Sequence, residues 1–181
     1  MAKLTVLEYP TESLKKASKE VKEFKQSWLR ELVENMFETM YAAEGLGLAA
    51  PQVGENIQLF VMDVGRPDPL DPENEIPDRI YMINPEIKKA EGVYEYEEGC
   101  LSCPDLLINL NRPKDIVVQS LDVEGNPQQH ILTEVASICT QHEMDHLKGV
   151  LLTDHISRLQ REFYGKKQMR KRRNERDRSK L

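Results

Sequence analysis

The chain has 181 residues, of which 39% are hydrophobic and 31% charged, and its formal net charge is −6. This length and composition are typical of a globular protein with one folded domain and a substantial hydrophobic core. No run of about 18 apolar residues occurs, which excludes a membrane-spanning helix at the level of sequence.

Three cysteines, an odd number, argue against a disulfide framework and exclude a four-cysteine zinc site within the chain. The N-terminus lacks the apolar core and cleavage pattern of an export signal, so we expect a cytoplasmic protein. Residues 158–181 carry 11 Lys and Arg against 3 Asp and Glu, a net charge of +8 that leaves −14 on the preceding residues. This uneven charge predicts an anionic partner for the tail.

The first clear element is an amphipathic helix at residues 28–40, where apolar side chains recur at three- and four-residue spacing. Gly45 is expected to end this region, and a loop of small residues follows at 45–52. Residues 57–63 read as a buried strand. Residues 66–79 hold four prolines and five acidic residues, which predicts an exposed loop.

The central part of the chain is rich in predicted strands. We expect strands at residues 79–83 and 92–98, and a hairpin formed by residues 116–122 and 128–132. Strands followed by a helix, without regular alternation, predict an α+β fold with mainly antiparallel sheets packed around a central helix.

That central helix is predicted to begin after Thr133 and to end near Gly149, and a further helix is predicted from about residue 157 into the tail. One stripe of the central helix, at relative positions 0, 3, 4, 7 and 11, carries Val135, Ile138, Cys139, His142 and His146. Because the histidines continue an apolar face, we expect them to point into the protein.

The same helix carries the sequence HEMDH at residues 142–146. On a helix, His142 and His146 leave one face about 6 Å apart at their Cβ atoms, so both imidazoles can bind one divalent metal ion. Glu143 between them can reach a water at the metal, as in H-E-x-x-H metallohydrolases. The pattern indicates a metal site that still needs a third ligand.

Cys139 is a poor third ligand, because it precedes His146 by seven residues, about 10.5 Å along a helix axis. Metal–ligand bonds are only about 2.0–2.3 Å long. Cys100, which follows a predicted strand and a glycine, is the leading candidate from spacing, but Cys103, His130, His155 and the carboxylates remain open. The spacing of Cys100 and Cys103 would also suit a redox pair or half of a zinc site.

Three segments resemble the three signature motifs of the peptide deformylase family of bacterial type. They read GLGLAAPQ at residues 45–52, EGCLS at 98–102 and QHEMDH at 141–146, in the order and separation of the family. The resemblance extends from about residue 4 to about residue 160, and three motifs in register are far more specific than one.

The resemblance implies that Cys100, His142 and His146 bind one divalent metal ion, with Fe2+ as the physiological ion and Zn2+ or Ni2+ as alternatives. It implies a metallohydrolase that removes the N-formyl group from the N-terminal formylmethionine of newly synthesised proteins. Metal-bound water or hydroxide would attack the formyl carbon and release formate. Glu143 would transfer the proton.

The resemblance also assigns residues to the substrate. The side chain of Gln52 and the backbone N–H of Leu101 would stabilise the oxyanion. Gly47 and Gly99 leave room for an extended peptide, which the family binds as an added strand. The methionine side chain needs an apolar pocket, which we expect to be formed by Leu46, Val135, Ile138 and Cys139. The alternative role of these residues is core packing.

Acidic residues are expected to orient the histidines, the candidates being Glu44, Glu98 and Asp145. The chain departs from the family in lacking a basic residue near positions 106–107, although Arg112 follows. Cys103 replaces an aliphatic residue and places an oxidation-prone thiol near Cys100. Residues 134–137 replace a glycine and two larger apolar residues.

We therefore expect a metal-dependent deformylase catalytic domain at residues 1–165 and a basic helical tail at residues 166–181. The tail is a candidate for contact with ribosomal RNA, since its cations would bind phosphates. One alternative is an RNA-binding protein whose metal is structural, but such a site would need neither Glu143 nor Gln52. Another alternative is an endopeptidase of the H-E-x-x-H type, against which a cysteine ligand argues.

Overall fold

The computed structural model describes residues 2–71 and 73–178. Three α-helices are present in this part of the chain: α1 (Ser27–Ala42), α2 (Glu134–Leu147) and α3 (Arg158–Arg178). The strands are β1 (Gly47–Ala49), β2 (Leu59–Met62), β3 (Arg66–Pro67), β4 (Glu75–Ile76), β5 (Ile80–Glu91), β6 (Tyr94–Glu98), β7 (Ile108–Arg112), β8 (Asp115–Leu121) and β9 (Pro127–Thr133).

Five strands form an antiparallel sheet in the order β1-β2-β5-β8-β9, and β6 pairs with β7 in a separate two-stranded sheet. The strand β2 lies between two helices, which cover the two faces of the large sheet. Its side chains alternate, so that Leu59 and Val61 join the core around α1, while Phe60 and Met62 join the core around α2. All four are fully buried, because helices cover both faces of the strand.

The helix α2 lies at the centre of the molecule and contacts β1, β2, β8 and β9. It packs on the sheet through Cys139, Met144 and Leu147, of which only Cys139 belongs to the predicted stripe. Thr133 occupies the N-cap position, and Gly149 follows the C-terminal end with a φ of 74°. The predicted α+β fold with antiparallel sheets around a central helix is confirmed.

The structure contains more strand than the sequence predicted. The strand predicted at residues 79–83 continues to Glu91, with register shifts after Ile83 where Pro85 interrupts the ladder. The strand β7 was not predicted at all. The exposed loop predicted at residues 66–79 contains a small hairpin in which β3 pairs with β4.

The helix α3 packs against the turn that follows β6. Tyr164 donates a hydrogen bond from its hydroxyl to Pro104 O at 2.9 Å, and Gln168 donates its amide to the same oxygen at 3.0 Å. The predicted division after residue 165 falls inside this helix, and residues 179–181 of the predicted tail lie outside the described residues. None of the described helices is long and apolar enough to cross a membrane.

Candidate active site

The fold brings together Cys100, His142 and His146. One ligand atom from each lies within 4.8 Å of the others, and Cys100 Sγ is 3.2 Å from His146 Nε2. The histidines come from successive turns of α2, and Cys100 comes from the turn after β6. Cys139 lies outside this group, as expected from its distance to His146 along the helix axis. Its sulfur is directed at Leu46 O, 3.5 Å away.

These donors fit a divalent transition metal. A thiol and two imidazoles converge on one point, and that point adjoins a cavity, so three protein ligands and one open position are available. This is the arrangement of a catalytic metal site, since structural zinc sites use four protein ligands. The chain therefore holds a potential Cys-His-His metal site.

An ion-pair network orients His142 from behind. His142 Nδ1 lies 2.9 Å from Glu98 Oε2, so its Nε2 is left for the metal. Arg112 binds both oxygens of Glu98, at 2.5 and 3.0 Å, and donates to Asp145 at 2.8 Å. Burial alone would raise the pKa of Glu98, but hydrogen bonds from His142 and Arg112 hold it below its ordinary value.

Of the three acids predicted to orient the histidines, Glu98 contacts a ring directly and Asp145 acts through Arg112. Glu44 lies instead at the exposed rim of the cavity. Arg112 was missed as part of the site, although its presence was noted. A single arginine near the end of a polar segment carries no pattern, and its pairing with Glu98 depends on the β6–β7 register.

Glu143 is 3% exposed, and its Oε2 has no hydrogen-bond partner among the described residues. Burial raises its pKa to about 7. Gly47 of β1 lies directly against this carboxylate. A Cβ at Gly47 would collide with Glu143 Oε1 and would lie 2.9 Å from Cys139 Sγ. The position therefore requires glycine because of the close approach of backbone and carboxylate.

The amide of Gln52 is held in one orientation. Its Oε1 accepts a hydrogen bond from Ala49 N at 2.7 Å, and its Nε2 donates to Ser102 Oγ at 3.1 Å. Ser102 in turn donates to Leu7 O at 2.7 Å, so its hydroxyl is an acceptor for Gln52. The second proton on Nε2 faces Cys100 Sγ, 3.8 Å away. Ser102 is a supporting residue that the sequence analysis did not identify.

A cavity of about 370 Å³ lies in front of these groups. The predicted metal, catalytic and substrate residues line it, except that His146 lies buried behind the others. Those at the wall are Leu46, Gly47, Gln52, Gly99, Cys100, Leu101, Val135, Ile138, Cys139, His142 and Glu143. The four residues predicted to form an apolar pocket thus share one cavity with the potential metal site.

An α+β fold with a potential metal site and a buried glutamate in a substrate-sized cavity defines a metal-dependent hydrolase. A family model described as polypeptide deformylase matches residues 3–162. The chain belongs to this family, as its signature motifs predicted. It is a hydrolase that removes the N-formyl group from nascent peptides.

Known relatives agree with this assignment. A peptide deformylase from Caulobacter sp. (strain K31) is 45% identical over 150 residues, which cover 82% of this chain and 83% of the relative. The crystal structure of peptide deformylase from Ehrlichia chaffeensis superposes with a TM-score of 0.85 at 34% identity, covering 96% of this chain and 99% of the other.

A third comparison is the Met-Ala-Ser-bound crystal structure of a class I type b peptide deformylase from Acinetobacter baumannii. It has a TM-score of 0.77 at 31% identity and covers 86% of this chain and 99% of the other.

Proposed function

We propose that this deformylase acts on N-terminal formylmethionine with Glu143 as the proton-transfer group and with Gln52 and Leu101 as oxyanion donors. The observation that carries the proposal is the position of Glu143. Its buried carboxylate has a free oxygen, lines the cavity and follows His142, one of the three converging metal donors.

In this proposal Cys100, His142 and His146 hold the metal. A divalent ion bound there acts as a Lewis acid that makes water a nucleophile near neutral pH. Glu98 and Arg112 keep the ring of His142 in the orientation that directs Nε2 toward the cavity side. The thiol, two imidazoles and one open position suit Fe2+, and they also suit Zn2+ and Ni2+.

Glu143 takes a proton from the attacking water and returns it to the methionine nitrogen as the C–N bond breaks. Formate then leaves with the oxygen that came from water. Burial supports this role, because it raises the pKa of Glu143 to about 7, within the range where a carboxyl group can both accept and donate a proton.

Attack on the formyl carbon places negative charge on its oxygen. The bonds to Ala49 and Ser102 fix the amide of Gln52, and its second proton faces Cys100 Sγ at the cavity wall, where we propose that it turns to the oxyanion. The N–H of Leu101 has no acceptor among the described residues and lies next to Cys100. In this proposal both groups donate to the developing charge, since stabilisation is most effective when donors are held in place before the reaction.

The peptide itself is proposed to add as a strand beside β1. This strand is at the edge of the five-stranded sheet, so no strand pairs with its outer side, where Ala49 N already donates to Gln52 and Gly47 is left for the peptide. Gly47 and Gly99 line the cavity without side chains, and the methionine side chain would contact Val135 and Ile138. The Met-Ala-Ser-bound relative supports an N-terminal methionine in this cavity.

Formate release from a formyl-Met peptide, measured with anaerobically loaded Fe2+ enzyme, tests the catalytic roles. Glu143→Gln should keep the metal and lower kcat by about 10²–10⁴-fold, since it retains the shape but accepts no proton. Glu134→Gln, the same substitution at an exposed residue on the same helix, is the matched control and should change little. A fully active Glu143→Gln enzyme would contradict the mechanism.

Metal identity is tested by elemental analysis after anaerobic purification, followed by reloading with Fe2+, Zn2+ or Ni2+. We expect iron in the purified protein and the highest kcat/KM with Fe2+. Zinc as the ion found under strictly anaerobic conditions, with equal activity, would contradict the proposal.

We also propose that the predicted tail contacts ribosomal RNA near emerging chains, and that the protein works in the cytoplasm. The exposed face of α3 supports the contact with RNA, because Lys166, Arg170 and Arg173 recur on it at four- and three-residue spacing. The opposite face is held by Tyr164 and Gln168, so the cations have a defined orientation. Clustered cations of this kind bind phosphates in a salt-dependent manner.

Charge reversal tests the contact without disturbing the buried face of α3. The triple variant Lys166→Glu, Arg170→Glu and Arg173→Glu should lose co-sedimentation with ribosomes at low salt. A control with the same change in net charge reverses three exposed lysines elsewhere, namely Lys16, Lys22 and Lys89. Equal binding by both triple variants would contradict a specific role for the tail.

A further inference from the structure

Cys100 and Cys103 lie at the two ends of one tight turn. Cys103 N donates a hydrogen bond to Cys100 O at 2.9 Å, which closes a four-residue turn. Such a turn brings its end Cα atoms within about 7 Å, and disulfides join residues whose Cα atoms are about 4.4–6.8 Å apart. The backbone therefore already holds these two residues within disulfide range.

The two sulfurs differ in their access to small molecules. Cys100 lines the 370 Å³ cavity, whereas Cys103 is 1% exposed and packs with Leu14, Leu151 and Tyr164. Cys100 packs against the same cluster of side chains. The two side chains are thus neighbours, but only Cys100 faces the cavity through which an oxidant would arrive.

The third thiol is differently placed. Cys139 is also at the cavity, but its sulfur is directed at Leu46 O, 3.5 Å away, and its side chain packs in the core around α2. Cys139 also has no turn that ties its backbone to that of Cys100. The geometry therefore favours Cys103 as the disulfide partner of Cys100.

We propose that Cys103 is a resolving thiol for Cys100, so that oxidation by a hydroperoxide forms a Cys100–Cys103 disulfide and releases the metal reversibly. The proposal rests on the proposed ligation of the metal by Cys100. Its consequence is that the site can be switched off and restored, because a disulfide is reducible whereas sulfinic and sulfonic acids are not restored by thiols.

The chemistry balances with hydrogen peroxide as the oxidant. The Cys100 thiolate attacks one peroxide oxygen, the O–O bond breaks and hydroxide leaves, which yields a sulfenic acid at Cys100. The sulfur of Cys103 then attacks Cys100 Sγ, the S–O bond breaks, and the departing hydroxide leaves as water with the proton of Cys103. Two sulfurs have lost two electrons and one peroxide has been reduced.

Disulfide formation removes the thiolate from the ligand set. A sulfur atom in a disulfide carries no charge and is a poor ligand, so only His142 and His146 remain to hold the ion. Two imidazoles on one helix leave half of a tetrahedral site without protein ligands. Release of the metal is therefore the expected readout of the cross-link.

The experiment uses the full chain loaded with zinc, which has no redox chemistry of its own. The zinc content of the reduced protein is measured first, and hydrogen peroxide is then added while a chromogenic chelator reports zinc release. We expect full zinc loss, a peptide that joins Cys100 to Cys103, and full zinc rebinding after dithiothreitol. Cys139→Ala should form the same cross-link.

The variants Cys103→Ala and Cys103→Val remove the resolving thiol and should bind zinc normally when reduced. After excess peroxide they should lose zinc without recovery on addition of dithiothreitol, because Cys100 is oxidised past the sulfenic acid to sulfinic or sulfonic acid. Equal recovery in the wild type and both variants, or a free Cys103 thiol in the oxidised wild type, would overturn the proposal. A reduced protein that binds no zinc would instead contradict the ligand assignment, and peptide mapping would still test the disulfide.

Discussion

Replacing Arg112 by methionine should damage both stability and the metal site. Arg112 is a buried cation whose side chain is 10% exposed, and it pairs with Glu98 and Asp145, which are 3% and 21% exposed. Removing one partner of a buried ion pair costs about 3–5 kcal/mol, because the buried charge left behind loses its main counterion and is poorly solvated. Urea unfolding of the metal-free protein measures this loss.

Metal affinity should fall in the same variant. Glu98 would lose the two bonds that hold it against His142 Nδ1, and loss of such supporting groups weakens metal binding by about 10–100-fold. Chelator competition with zinc measures this effect separately from stability.

Arg66→Met is the matched control, because Arg66 is exposed and pairs with Asp78 at 3.7 Å on the surface. Its loss should cost less than about 1 kcal/mol and leave zinc affinity unchanged. If Arg112→Met were as stable as Arg66→Met and bound zinc equally well, the network would have no role in orienting His142.

Gly47→Ala should lower kcat/KM by at least about 100-fold, since its Cβ would displace the Glu143 carboxylate. A kcat/KM within roughly tenfold of the wild-type value would contradict this. Glu134 has a φ of 49°, so Glu134→Gly should be about 1 kcal/mol more stable than Glu134→Ala in urea unfolding; the reverse order would refute backbone strain there. Gly149→Ala should lose about 2 kcal/mol or more by the same measurement, because φ is 74° and a Cβ would strike a backbone carbonyl of the N-terminal segment. Gly54→Ala, with φ of 91° but open space around it, should lose less; equal losses would rule out the steric contribution.

The helix stripe was the most predictive feature of the sequence. Its spacing alone indicated that His142 and His146 face the core and that Cys139 lies too far along the axis to share their metal. Both predictions depend only on helix geometry, which is independent of distant parts of the chain. Spacing favoured Cys100 over Cys103 without deciding between them, and the family resemblance was needed, because two cysteines three residues apart offer a metal the same donor atom.

The strand β7 and the role of Arg112 were missed for related reasons. Ile108–Arg112 contains two asparagines and an arginine, which disfavour a strand by composition, and the alternation of its apolar and polar residues was overlooked. The segment is a strand because β6 pairs with it, and that pairing also places Arg112 beside Glu98 and Asp145. Pairing between segments is a tertiary property, so a local pattern does not reveal it.

The separate β6–β7 sheet has a consequence for how the enzyme keeps its metal. Two paired strands are marginally stable alone, and this pair is joined to α2 through Glu98 and Arg112. The same hairpin leads into Gly99 and Cys100, beside which the peptide is proposed to bind. In the proposed mode of binding, a peptide that orders the hairpin would strengthen the hold on the metal, and by thermodynamic reciprocity the metal would strengthen peptide binding by the same factor. We therefore expect slower metal loss from the peptide-bound enzyme than from the free enzyme.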